Sequence, residues 1–336
     1  MNTNDPPLPF IDLHRHLDGS VRLETILDLG RQHNLPLPAW DIEGLRPYVQ
    51  VTEPQPGILS FFAKFEWMRR VLVDYEACRR IAYENVEDAK TEGLDYVELR
   101  FSPWFMAEVH QLDPAGVVDA VCAGIAEGER DCHLPVGLTG ILSRTYGPEI
   151  AWQELNALLT QKDQLCALDL AGDEIHFPGE LFIEHFRVAR EAGWQVTVHA
   201  GEADGPRSMW QAIRELGALR IGHGIRAVED PALMDYLAEK RIGIESNLTS
   251  NLQTSSVPDY ANHPVRRFLE HGILTNLNTD DPGISRITLD YEYRVAAPAA
   301  GLTPEMIHQA QRNALEMAFL SEEDKLRAAN HKLRIQ

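Results

Sequence analysis

The chain has 336 residues, 44% of them hydrophobic, and a formal net charge of −20 from 31 basic and 51 acidic side chains. That balance repels phosphate backbones and anionic membranes and excludes them as partners, leaving a neutral or cationic small molecule as the better fit. The length is ordinary for a single α/β barrel domain spanning residues 1–336.

Short apolar runs alternate with longer helical patterns along the chain. Strands are predicted at Phe10–Leu13, Tyr96–Phe101, Val136–Ile141, Ala167–Ala171, Val196–His199, Arg220–His223, Ile242–Ser246 and Leu274–Asn278. Asp113-Pro114 reads as an N-cap and first helical residue, opening a helix toward Arg130. A helix over Glu180–Ala192 stops at Gly193, another over Pro264–His271 stops at Gly272, and Thr303-Pro304 opens the last long helix, toward Phe319. Alternating strand and helix implies parallel strands with right-handed crossovers, and eight units point to a closed (β/α)₈ TIM barrel, with an open doubly wound sheet as the alternative. The stretch Leu35–Gly93 exceeds a simple crossover. It holds Pro36, Pro38, Pro47, Pro54 and Pro56, then Phe61, Phe62, Phe65, Trp67 and Met68, and reads as an inserted helical segment, either a lid or a plain elaboration.

Cys78, Cys122, Cys132 and Cys166 form no C-x-x-C pair, so reduced thiols are expected. Met1 to Pro9 is polar and proline-rich, without the pattern of a signal peptide, and no apolar run approaches a membrane span. A cytoplasmic location is the expectation.

The unusual polar residues fall at strand ends. The first strand closes in Asp12-Leu13-His14-Arg15-His16-Leu17-Asp18-Gly19; residues i and i+2 of a strand share a side, so His14 and His16 can face one ion. The fifth ends with His199, followed three residues later by Glu202; the sixth ends in Gly222-His223-Gly224; the eighth ends in Asp280-Asp281-Pro282-Gly283. Each cluster alone has a plain structural explanation, such as a packing histidine or a turn. Strand ends in a barrel converge on one face, however, and together the three histidines and one carboxylate make a site for a borderline cation. Imidazoles without a thiolate cluster favour zinc, with iron or another divalent ion left open.

These segments, DLHRHLDGS, YVELRFSP, DLAGDE, VHAGE, RIGHG, TSN and NTDDPG, resemble the adenosine deaminase family of the amidohydrolase superfamily, especially its bacterial members, over nearly the whole length. The resemblance implies one Zn²⁺ per chain held by His14, His16, His199 and Asp280, with Glu202 as proton donor to the purine and His223 assisting the attacking water. It places His16 and Asp18 at the ribose end, and Gly172 and Asp281 at the purine. The implied reaction is hydrolytic deamination of adenosine and 2'-deoxyadenosine to inosine and 2'-deoxyinosine, a step of purine salvage, with no protein partner. The P-C-x-x-C of cytidine-type zinc deaminases is absent. Three other readings stand beside this one: a deaminase of free adenine or a modified nucleoside, a two-metal hydrolase on the same barrel, and a non-catalytic zinc protein. No lysine follows the fourth strand at Ala171-Gly172-Asp173 to bridge two metals, and Glu202 and His223 stand beside the ligand candidates, so deamination is the leading expectation.

Overall fold

The structure, a computed structural model, describes residues 8–51, 53 and 58–331. Residues 1–7, part of the stretch read as lacking a signal peptide, lie outside the described residues, as do Pro54 and Pro56.

Eight parallel strands run in sequence order: β1 (Ile11–His16), β2 (Tyr96–Phe101), β3 (Val136–Ser143), β4 (Ala167–Ala171), β5 (Gln195–Ala200), β6 (Arg220–His223), β7 (Gly243–Ser246) and β8 (Thr275–Leu277). The ring closes just past β8. Asp280 bridges to β1 beside Arg15: its N–H donates to the His14 carbonyl at 2.8 Å, and its carbonyl accepts from the His16 N–H at 2.7 Å. This is the (β/α)₈ barrel that the alternation implied. All eight expected strands are present, with ends displaced by a few residues.

β1 departs most, running on to His16 where the apolar run stops at Leu13. The extension is polar yet buried, because its side chains find partners inside. His14 meets Glu245 at 2.7 Å, and Arg15 pairs with Glu92 at 2.8 Å. Hydropathy periodicity does not register polar residues that are satisfied by distant partners. The helix expected over Glu180–Ala192 divides into a 3₁₀ turn (Gly179–Phe182) and an α-helix (Ile183–Glu191). The caps hold as read. Asp113 accepts from the Ala115 N–H, and Thr303 from that of Met306. The last long helix ends at Met317, short of Phe319.

The inserted segment is shorter than 35–93. Tyr75–Thr91, capped by Asp74, is a crossover helix on the way from β1 to β2, and its face of Ala77, Cys78, Ile81, Ala82, Val86 and Ala89 is buried in the core. The true elaboration consists of the short helices Ile42–Val49, Ile58–Phe62 and Glu66–Arg70. Phe61, Phe65 and Met68 anchor it inward.

The barrel interior beneath the strand ends is ionic. Arg100 bonds Asp169 at 2.8 Å and Glu245 at 2.9 Å, and Arg220 bonds Glu98 and Glu245. All are buried. Removing one member would strand an uncompensated charge, which costs far more than the intact pair contributes. β4 and β5 pair only at Ala167–Gln195 and Leu168–Val196 and then part. The buried Arg144 guanidinium fills the gap, donating to the carbonyls of Leu170 (3.3 Å) and His199 (2.8 Å).

Candidate active site

A cavity of about 260 Å³ opens at the C-terminal ends of the strands, just below the usual range for drug-sized ligand pockets and suited to a small molecule. Its lining includes His16, Asp18, Gly172, His199, Glu202, His223, Asp280 and Asp281, and it is roofed by Phe61, Phe62, Phe65 and Arg69 of the inserted segment. Of the residues singled out in the sequence, only His14 is missing from this lining. It sits fully buried directly behind, its ring centroid 5.4 Å from that of His16 and 4.6 Å from that of His199.

Four imidazoles and one carboxylate converge here. His14, His199, His223 and Asp280 each offer an atom within 4.8 Å of the others. His16 Nε2 stands still closer to two of them, 3.3 Å from His199 Nε2 and 3.4 Å from Asp280 Oδ1. His14 Nε2 lies 3.0 Å from Asp280 Oδ1, yet it is buried and without a hydrogen-bond partner among the described residues. Donors held about 2.1 Å from one ion at angles of 90–110° lie about 3.0–3.4 Å apart, so these separations fit a shared metal. His223 Nε2 is 3.9 Å from Asp280 Oδ2.

Carboxylates stand behind two of the imidazoles. His14 Nδ1 meets Glu245 at 2.7 Å, and His199 Nδ1 meets Asp169 at 2.9 Å. Such partners keep the proton on Nδ1 and the inward Nε2 lone pair free, the usual arrangement behind metal-binding histidines. Burial drives the pKa of His199 down to about 3, so it stays neutral. Around His16 burial is opposed by the hydrogen bond and charge of Asp18 and the charge of Asp280, which raise its pKa. The pocket thus attracts positive charge, and a bound cation would take the place of that proton.

The remaining carboxyls divide by environment. Burial lifts Glu202 to about 7, with the charges of Asp280 and Glu174 acting in the same direction. Burial and the charge of Asp280 hold Asp281 well above the ordinary carboxylate range. Asp280 is held well below it, because the imidazoles of His14, His223 and His16 overcome its burial. Neighbouring carboxyls driven apart in this way provide an acid and a base in one site. A Cβ on Gly19 would fall 1.7 Å from Asp281 Oδ1, so only glycine leaves that carboxyl its place. Asp18 Oδ2 accepts from the Ser102 N–H at 3.1 Å. Gly172 has φ +113°, a backbone that L side chains rarely adopt. His223 (φ +64°) and Asp280 (φ +63°) occupy left-handed conformations as well, strain of the kind that clusters at functional sites.

Several contributors escaped the sequence reading. Glu174 accepts four backbone N–H groups: Gly201 at 2.6 Å on one oxygen, and Glu202 (3.2 Å), Ala203 (2.8 Å) and Asp204 (3.0 Å) on the other. It lies in the quoted DLAGDE segment, but nothing local marks it as the anchor of a loop 27–30 residues onward. Asn251, in TSN, reaches both Glu202 and His223. Glu245 and Asp169 sit mid-strand, and a mid-strand acid among apolar residues was their only local signal.

Comparison with known proteins agrees with this geometry. Residues 9–332 match the family model described as adenosine deaminase. A curated adenosine deaminase from Klebsiella pneumoniae (strain 342) is 61% identical over 96% of this chain and 96% of its own length. Among solved structures, an adenine deaminase from Arthrobacter aurescens superposes with a TM-score of 0.89 over 98% of this chain and 99% of its own; at 23% identity it speaks for the fold alone. An amidohydrolase from Burkholderia ambifaria with bound Zn gives 0.87 at 25% identity, covering 98% of this chain and 90% of the other.

Proposed function

The chain belongs to the adenosine deaminase family, and we propose on that premise that it hydrolyses adenosine and 2'-deoxyadenosine to inosine and 2'-deoxyinosine, releasing ammonia, with one zinc ion held by His14, His16, His199 and Asp280. The observation that carries the reading is the meeting of these four side chains, with His14–Asp280, His16–His199 and His16–Asp280 contacts of 3.0–3.4 Å, beside a carboxyl raised to about 7 in the same small cavity. Zinc fits the all-imidazole and carboxylate donor set, and its bound state in the Burkholderia structure is in keeping with it. When bound, zinc lowers the pKa of a coordinated water to about 7 and so supplies a nucleophile at neutral pH.

The chain's own groups do the rest. Glu202, about half protonated at neutrality, donates to purine N1 as C6 is attacked, so that ring electron density has somewhere to go. Of the water's two protons, one leaves with the amine as ammonia and the other returns to Glu202, which restores the resting state. His223, with Nε2 3.5 Å from Glu202 Oε2, orients the attacking water together with Asp280. Asp281, held as the neutral acid, donates to N7, and its buried Oδ1 has no partner among the described residues. The Gly172 N–H serves N3, and Asp18 with His16 receives the ribose hydroxyls. The aromatic roof of Phe61, Phe62 and Phe65 keeps water off the purine.

Among the described residues no helix is long and apolar enough to cross a membrane, and all four cysteines are free thiols. A cytoplasmic location, with no nucleic acid and no protein partner required, belongs to the same proposal. The test is ammonia release by the metal-analysed protein from adenosine, 2'-deoxyadenosine and adenine side by side. Fast release from both nucleosides with little from adenine is the expected result. Preference for adenine would overturn the ribose roles of Asp18 and His16.

A further inference from the structure

His223 differs from His14 and His199 in what stands behind it. Those two rings have carboxylates at Nδ1, which can only accept. His223 Nδ1 has the Asn251 side-chain amide nitrogen at 3.0 Å, which can only donate. The orientation of that amide is set further back. Val265 is the first residue of the helix Val265–Glu270, so its N–H has no acceptor within the helix. It donates instead to His263 Nδ1 at 3.1 Å. A backbone N–H cannot reverse its role. His263 therefore accepts at Nδ1 and carries its proton on Nε2, which faces Asn251 Oδ1 at 3.2 Å. With its oxygen so engaged, Asn251 turns its NH₂ group to Glu202 Oε1 (3.3 Å) and to His223 Nδ1. Rotating the amide would oppose it to His263 and force a second N–H against that of Val265. Burial lowers the His263 pKa to about 3, so this ring stays neutral and does not supply a second proton. Asn251, His263 and His223 are all buried, so bulk water does not compete. The Asn247 amide nitrogen lies 3.3 and 3.4 Å from the two His223 ring nitrogens, farther than the Asn251 amide and without preference between them.

We propose that this one-way chain of hydrogen bonds, from the Val265 backbone N–H through His263 and Asn251, fixes His223 as the Nε2–H tautomer, so that His223 is a hydrogen-bond donor in the site rather than a metal ligand or a base. Asn251 and His263 are its positioning residues. The proposal rests on the assignment of His223 beside the attacking water and deepens it: the group that accepts hydrogen bonds from that water is Asp280, while His223 donates. A ring with its proton on Nε2 also has no lone pair to offer a metal on that side.

The experiment is nitrogen NMR of the zinc-loaded, full-length protein labelled with [¹⁵N]histidine. Among the 13 histidines, His223 is assigned by the signals lost in H223Q. A protonated Nε2 and a bare Nδ1 on His223 are expected; a proton on Nδ1, alone or as imidazolium near neutral pH, would overturn the proposal. In the isosteric N251D the carboxylate cannot donate, so the tautomer should switch. Turnover should fall about 100-fold, the scale of losing one aligned donor, with KM within about threefold and zinc content unchanged. An unaltered tautomer and turnover in N251D would equally overturn it. H263F, which unfixes the amide without adding charge, should show a mixture of tautomers and about a tenfold loss. Because the native tautomer is read without substrate, a protein that deaminates no purine yet shows Nε2–H would sink the functional reading and leave this inference standing.

Discussion

At the scale of single residues the site works by giving like groups unlike surroundings. Glu202, Asp280 and Asp281 are three carboxyls around one cavity, and burial set against imidazole charge separates their proton affinities. The sign of the pH dependence follows. In the proposed mechanism Glu202 must be protonated to act, so kcat/KM should hold on the acid side of neutrality and fall as pH rises through about 7. Glu202→Gln keeps the shape but has no proton to give; turnover should drop at least about 100-fold while zinc stays bound. Metal analysis beside steady-state kinetics checks both halves, and near-normal turnover would refute the role. Gly19→Ala tests Asp281 from the other side. The added methyl displaces a carboxyl that would otherwise lie 1.7 Å away, so KM for adenosine should rise with the metal retained.

At the scale of elements, loops and strands are held by side chains that never meet the substrate. Arg144 stands in for the missing ladder between β4 and β5 and grips the carbonyl of His199. Arg144→Met leaves buried carbonyls unpaired, at a cost of about 1–3 kcal/mol each. Both melting temperature and zinc affinity should fall, as thermal unfolding and chelator competition would reveal. Glu174 ties four N–H groups of the loop bearing Glu202. Glu174→Ala should therefore lower kcat while sparing zinc affinity. Equal loss of metal in the two variants would refute this division of labour.

For the whole molecule, the proposed ion draws its ligands from β1, β5 and the bridge after β8, so it spans the closure of the barrel. Chelation should abolish turnover and lower the melting temperature, and zinc should restore both, since binding only to the folded state stabilises by about 4 kcal/mol at a thousandfold excess over Kd. Much of this architecture was legible in the residues themselves. Alternating apolar runs and helical stretches specified eight β/α units, because burial periodicity is written locally. The caps at Asp113 and Thr303 were equally local. The histidines and acids at strand ends were readable because parallel strands in a barrel must bring those ends together. What lay beyond the sequence were properties of partners. Glu245 sits 231 residues from the His14 it orients, and Arg100 reaches Asp169 across 69. The polar end of β1 is buried only because those distant groups satisfy it, and the direction of a hydrogen bond, which separates His223 from the other imidazoles, depends on which atom of a remote residue faces it. Composition and spacing thus determined the kind of fold and which polar residues stand at its strand ends, and the family resemblance supplied their expected roles; their protons, tautomers and supports depend on tertiary structure, since each is an energy of contact between residues far apart in the chain.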